Sequence, residues 1–251
     1  MKYWLVLMGA LFLSLAKGWG GQDVVNFGAT EYPPYSGEHL VRGGLIPQVL
    51  REAYERVGYQ VHIHFYPWAR VVRMVKDGDL DGMVLIWMRE ARKGWLLYSD
   101  PMPASNALVF YKRNYTEIEF DGQDYLALKP YIIGSGRSYA NPPGFELVRE
   151  QLQNETVTED IQNLRKLKSG WIDLVIIDKL VAQYLLKTQM PESLDSFSWI
   201  RPALSIEKIY VGVSKRTQQA QKKLQDFNRG LALLKQEGRI KTILAEHGFK
   251  Y

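Results

Sequence analysis

The chain of 251 residues is 46% apolar and 24% charged, with a formal charge of +5, and has room for one large domain or two lobes of roughly 100 residues each. That composition is ordinary for a globular protein and excludes fibrous and disordered classes. Cationic residues sit beside acidic ones, as in Arg51-Glu52 and Lys76-Asp77, so no block of like charge marks a nucleic-acid footprint.

Residues 1–20 differ from the rest. Lys2 is followed by an apolar run from Tyr3 to Ala16 and then by Lys17-Gly18-Trp19-Gly20. A basic start, a short apolar core and small residues after it predict a signal peptide for export. The run is shorter than the about 20 residues that a bilayer span takes. The chain has no cysteine, so neither disulfides nor a lipid anchor at the cleavage point is expected, and the expected location is the periplasm.

From Asp23 to Ala29 the pattern predicts a strand. Glu31-Tyr32-Pro33-Pro34-Tyr35-Ser36-Gly37 reads as a rigid loop carrying two aromatics, because adjacent prolines remove donors and fix φ. Leu45, Ile46, Val49, Leu50, Ala53 and Val57 follow helical spacing up to Gly58. Val61, Ile63 and Phe65 alternate with His62 and His64 as in a half-buried strand. Pro67 suits the first turn of the next helix, with Trp68, Val71, Val72 and Val75 on one side.

Gly78 caps that helix, and Leu80 to Ile86 forms the next strand. Asn106 to Lys112 is a further strand, and the polar stretch from Arg113 to Gln123 follows it. Tyr131 to Ile133 is strand, Gly134 to Ser138 a flexible loop, and Pro142-Pro143 starts a helix running to about Gln153. Thr156 to Thr158 reads as a short strand. A helix through Ile161, Leu164 and Leu167 ends at Gly170. The strand Ile172 to Ile177 leads into a helix from Asp178 to Lys187. Ile209 to Val213 is strand, Ala220, Leu224, Phe227, Leu231 and Leu234 mark an amphipathic helix, and Arg239 to Glu246 a last one. Strands alternating with helices indicate βαβ sheets.

One phrase occurs twice: Lys76-Asp77-Gly78-Asp79-Leu80-Asp81-Gly82-Met83-Val84 and Lys168-Ser169-Gly170-Trp171-Ile172-Asp173-Leu174-Val175-Ile176. Each has the form of a helix end, a glycine cap and a buried strand. The repetition suggests two lobes of similar build with a cleft between them, where small ligands commonly bind. The expected division is lobe 1 at 21–110 and 210–251, and lobe 2 at 111–209.

The order of Tyr32-Pro33-Pro34-Tyr35, Gly78-Asp79-Leu80-Asp81-Gly82, Arg92 with Tyr98-Ser99-Asp100-Pro101, and Gly170 to Asp178 resembles the extracytoplasmic solute-binding proteins of family 3, typified by polar amino-acid binding proteins. The resemblance implies a two-lobed periplasmic-binding-protein-like α/β fold of type 2. Each lobe would be a mostly parallel sheet flanked by helices, and two strands would form the hinge. It also implies capture of an amino acid or related small carboxylate by lobe closure, for an ABC-type permease in the membrane. No cofactor is expected, and a monomer is.

Arg92 would clamp a ligand carboxylate, which suits a planar guanidinium with two parallel donors. Arg89 is the alternative clamp, and both also read as surface residues near a helix start. Asp178, at a strand end, would receive the ligand ammonium in the resembled family; it also reads as a helix N-cap. Tyr32, Tyr35, Trp68 and Trp87 would form an aromatic wall or pack as core. Arg137 and Ser138 would meet an anion from the second lobe. Ala29, Trp87, Arg89 and Pro47-Gln48 depart from the family's usual Asp and Thr pattern, which points away from an ordinary polar amino acid.

Two rival readings share the fold. One is a periplasmic enzyme resembling cyclohexadienyl dehydratases, with Glu31 or Asp178 as acid or base. The other is a ligand-sensing accessory module of a membrane signalling protein. His62 and His64 point to one side of their strand but lack further ligands, so they do not read as a zinc site.

Overall fold

The computed structural model describes residues 23–249. The expected signal peptide lies outside the described residues. The elements run in the order β1 (Asp23–Ala29), α1 (Leu45–Glu55), β2 (Tyr59–Phe65), α2 (Trp68–Asp77), β3 (Gly82–Ile86), α3 (Glu90–Lys93), β4 (Leu96–Tyr98) and β5 (Ser105–Arg113). Then come β6 (Ile132–Gly136), α4 (Pro143–Val148), β7 (Gln153–Val157), α5 (Asp160–Ser169), β8 (Leu174–Asp178), α6 (Lys179–Gln189), β9 (Phe197–Lys208), β10 (Tyr210–Ser214), α7 (Ala220–Gln236) and α8 (Arg239–Glu246).

Two five-stranded sheets result, ordered β2-β1-β3-β10-β4 and β7-β6-β8-β5-β9. Within each, four strands run the same way and one, β10 or β5, runs against them. β10 is antiparallel to β3 and β4, and β5 is antiparallel to β8 and β9. β5 pairs in the second sheet along its whole length, starting at Ser105 with Lys208.

Each sheet is covered on both faces, which is why its inner strands read as unbroken apolar runs. In the first, Val25, Phe27 and Val211 pack with α1 and α7, while Met83, Ile86 and Leu96 pack with Val71 and Val75 of α2. In the second, Val175 and Ile177 pack with α5 and α6, and Phe110, Leu174 and Ile176 with Phe120, Tyr125 and Phe145. α7 lies so close to α1 that a Cβ on Gly230 would stand 1.9 Å from the Ala53 carbonyl oxygen.

The twofold phrase has a common structural job. Gly78 (φ 90°) and Gly170 (φ 78°) both end helices in the left-handed region, which glycine enters without strain. Three residues later the aspartates act alike. Asp81 exchanges backbone and side-chain bonds with Asn26 of β1, its N–H donating to the Asn26 carbonyl at 2.8 Å and its carboxylate accepting the Asn26 N–H at 2.7 Å. Asp173 does the same with Ile132 of β6, at 2.8 and 2.9 Å. Each aspartate thus pins the start of a central strand.

Several local readings need correction. Gly134, Ser135 and Gly136 belong to β6 and pair with Glu155, Thr156 and Val157, so they are strand and not loop. The glycines mark close approach: a Cβ on Gly134 would meet Asn163 and Ile172 at 2.6 Å, and one on Gly136 the Tyr139 ring at 2.3 Å. Pro67 is the N-cap of α2 rather than a first-turn residue. The helix at Pro143 gives way after Val148 to a short 3-10 turn and β7. β4 and the long edge strand β9 had no clear period-2 pattern; Pro202 interrupts β9, as an edge position allows.

Candidate functional site

β1, β3 and β6 end on the same side, facing the gap between the sheets. Residues just past these carboxyl ends line a cleft: Thr30 and Tyr32 after β1, Trp87 after β3, and Tyr139 and Ala140 after β6, with Leu85, Ile86, Trp68 and Arg92 completing it. Ligands bind outside the carboxyl ends of strands in open α/β sheets because helix starts and loops converge there.

Arg92 is the charged member of this lining. It sits in the short helix α3, which folds its side chain back under Trp87. One Nη1 donates to the Trp87 carbonyl at 3.2 Å, and the guanidinium carbon lies 5.5 Å from the centre of the Trp68 ring. No carboxylate is paired with it among the described residues. Burial, with Arg89 nearby adding repulsion, holds its pKa below the usual guanidinium value. Such a group has donors to spare and a charge lacking compensation.

The cleft walls are aromatic. Tyr139 reaches from the second-sheet half between Tyr32 and Trp68, its ring centre 6.0 Å from the former and 6.3 Å from the latter, edge to face with both. Tyr32 is stacked on Tyr35 at 6.0 Å. Trp87 is buried, and its indole N–H donates to the Asn106 amide oxygen at 2.7 Å, which ties the end of β3 to the start of β5.

Arg92, Tyr32, Trp68 and Trp87 are therefore brought together. The other sequence candidates are placed elsewhere. The Arg89 guanidinium is held by Glu207 of β9 through two bonds of 2.9 and 3.1 Å, so its donors are committed. Tyr35 is fully buried behind Tyr32, and its hydroxyl donates to the Ser105 carbonyl at 3.2 Å. Arg137 and Ser138 are exposed; the Arg137 N–H extends the β6–β7 ladder to Val157, and the Ser138 carbonyl accepts from the Trp68 indole at 2.9 Å.

Asp178 is 1% exposed and caps α6. Its Oδ1 accepts from the Leu180 and Val181 N–H groups at 2.9 and 3.0 Å, and its Oδ2 from the Ala107 N–H at 2.9 Å. Burial nevertheless pushes its pKa up to about 6. Glu31, the other acid considered, is exposed and accepts the Glu38 N–H at 2.8 Å.

Sequence reasoning missed Asp160 and the Tyr139 ring. Asp160 opens α5 and is buried; burial, and Asp178 beside it, push its pKa up to about 7. An aromatic directly after a Gly-Ser-Gly-Arg-Ser run was the available signal for Tyr139. An acid in a helix first turn is too common to single out Asp160.

The family model described as bacterial extracellular solute-binding proteins, family 3, matches residues 25–250. No curated protein matches the chain. Among solved structures, an ancestral arginine-binding protein bound to arginine is similar at a TM-score of 0.75 and 18% identity, covering 90% of this chain and 98% of that one. A histidine kinase sensor domain with similarity to periplasmic binding proteins is similar at 0.75 and 19%, covering 90% and 95%. The GluR0 ligand-binding core from Nostoc punctiforme, in complex with L-glutamate, is similar at 0.71 and 16%, covering 88% and 98%. At these identities the likeness is one of fold: the two-lobed type 2 binding-protein architecture.

Proposed function

The chain belongs to the bacterial extracellular solute-binding proteins of family 3, and from that premise we propose that it captures a small carboxylate-bearing ligand, an amino acid or related metabolite, by closing its lobes. Lobe 1 holds the first sheet with α7 and α8, and lobe 2 the second sheet, with β5 assigned entirely to lobe 2. The observation that carries this reading is Arg92: a guanidinium without an acidic partner among the described residues, set in an otherwise apolar cleft. A carboxylate placed there would gain two charge-assisted bonds and relieve a buried charge.

Closure is part of the same proposal. A ligand touching Arg92 and Trp87 on one lobe and Tyr139 on the other makes its full set of contacts only when the lobes meet, so it shifts the population toward the closed form. The aromatic walls favour a ligand with an apolar or aromatic body over a short polar one. The protein acts by binding, without turnover, and delivers its ligand to a membrane permease. A sensing role is the second reading, favoured by the likeness to a kinase sensor domain.

A thermal-shift screen of amino acids and organic acids tests the proposal. A ligand that raises Tm is expected, and Arg92→Ala is expected to abolish the rise while leaving the ligand-free Tm nearly unchanged. A ligand that stabilises Arg92→Ala as well as the parent would take Arg92 out of the site.

A further inference from the structure

The rings that wall the Arg92 cleft carry polar tips, and those tips are already engaged. The Trp68 indole N–H donates to the Ser138 carbonyl at 2.9 Å, and the Trp87 indole N–H to the Asn106 amide oxygen at 2.7 Å. The Tyr139 hydroxyl donates to Asp160. None of these acceptors lines the cleft. What the three rings have left for a ligand is carbon.

Charge in the cleft is one-sided. Among the described residues that line it, Arg92 is the charged one and none is an acid. Tyr32 stays neutral, since burial holds its hydroxyl well above the usual phenol range. Asp178 and Asp160, buried acids of the second-sheet half, lie outside this lining. Asp178 accepts the backbone N–H groups of Leu180, Val181 and Ala107. Asp160 lines the neighbouring cavity and holds the Tyr139 hydroxyl.

An α-amino acid carries its ammonium on the carbon next to its carboxylate. With the carboxylate seated on Arg92, that ammonium would leave water beside a guanidinium and meet no acid. A charge buried without a partner is strongly unfavourable. A second carboxylate on the ligand would find no second cation.

We propose that the cleft selects against the amino group and takes an aromatic monocarboxylate that lacks an amine. Its carboxylate pairs with the Arg92 guanidinium, and its flat ring packs among Trp68, Trp87 and Tyr139. The proposal rests on the reading of Arg92 as the carboxylate clamp and narrows that reading to one chemical class.

Isothermal titration calorimetry on the full chain with two matched pairs tests this: 3-phenylpropionate against L-phenylalanine, and indole-3-propionate against L-tryptophan. The members of a pair share a carbon skeleton and differ by the amine alone. Binding at unit stoichiometry is expected for at least one propionate, with its amino acid at least about tenfold weaker. Arg92→Ala is expected to weaken that propionate about tenfold or more. An amino acid that binds as tightly as its propionate overturns the selection against the amine; if Arg92→Ala then loses that amino acid, the broader carboxylate reading survives. A propionate held equally well by Arg92→Ala overturns both. No binding by either propionate overturns the aromatic monocarboxylate, and the thermal-shift screen then shows whether another carboxylate keeps the broader reading.

Discussion

The Trp68 indole N–H donates to the Ser138 carbonyl oxygen at 2.9 Å, joining α2 of one half to the turn after β6 of the other, beside the cleft that Arg92 lines. The same indole lies under the Arg92 guanidinium and meets the Tyr139 ring edge to face. One side chain thus links the candidate clamp to the opposing lobe.

Trp68→Phe keeps a ring against Tyr139 and removes the bond. A hydrogen bond of this kind contributes about 0.5–1.5 kcal/mol net, so the ligand-free closed population is expected to fall by up to about tenfold relative to the open one. Small-angle scattering should show a larger radius of gyration than the parent. Identical scattering curves would mean that the bond does not hold the lobes together.

Arg89 and Glu207 form a second tie, between the loop after β3 and the end of β9, with both side chains largely shielded from solvent. Glu207→Gln leaves the guanidinium with a neutral partner. The expected loss is about 1 kcal/mol, above the usual surface pair because the contact is bidentate and partly buried. Urea unfolding at low and high salt checks it, and the difference from the parent should shrink as salt rises.

Asp160 and Asp178 make stability depend on pH. Burial first, and Asp178 second, push Asp160 up to about 7, while burial pushes Asp178 up to about 6. In the unfolded chain both titrate near the ordinary value of about 3.9. The folded protein therefore retains protons that the unfolded chain has released. Their stabilising contribution is full below about pH 4 and is lost as pH rises through 6 to 7. Asp160→Asn should match the parent at pH 4 and melt at a higher temperature than it at pH 8. A Tm difference that stays constant from pH 4 to 8 would show that Asp160 does not titrate in that range.

Gly230 is the tightest point of the α1–α7 contact. Its missing Cβ would fall on the Ala53 backbone, which cannot turn aside as a side chain can. Gly230→Ala is expected to cost about 3 kcal/mol or more by forcing the helices apart. Chemical denaturation measures this directly; a loss below about 1 kcal/mol would mean that α7 can shift without penalty.

The sequence alone determined the alternation of strands and helices, the two glycine-capped helix ends, and the boundaries of α8, because period and capping are local properties of a few neighbouring residues. The repeated Lys-x-Gly-x-apolar-Asp phrase also announced two like units, and Asp81 and Asp173 do the same work in both sheets. Arg92 was reached through the family resemblance and Tyr32, Trp68 and Trp87 as aromatic candidates, and the fold sets all four around one cleft. Tertiary structure alone decided that Gly134 to Gly136 is a central strand, since the approach of Asn163, Ile172 and Tyr139 is invisible in the chain order. It also decided which of two arginines is already paired, that Asp178 accepts from backbone N–H groups, and that Asp160 is buried beside Asp178. Charges and hydrogen bonds find their partners across distance in the fold, and a linear pattern records only what each residue could do, not which neighbour has already claimed it.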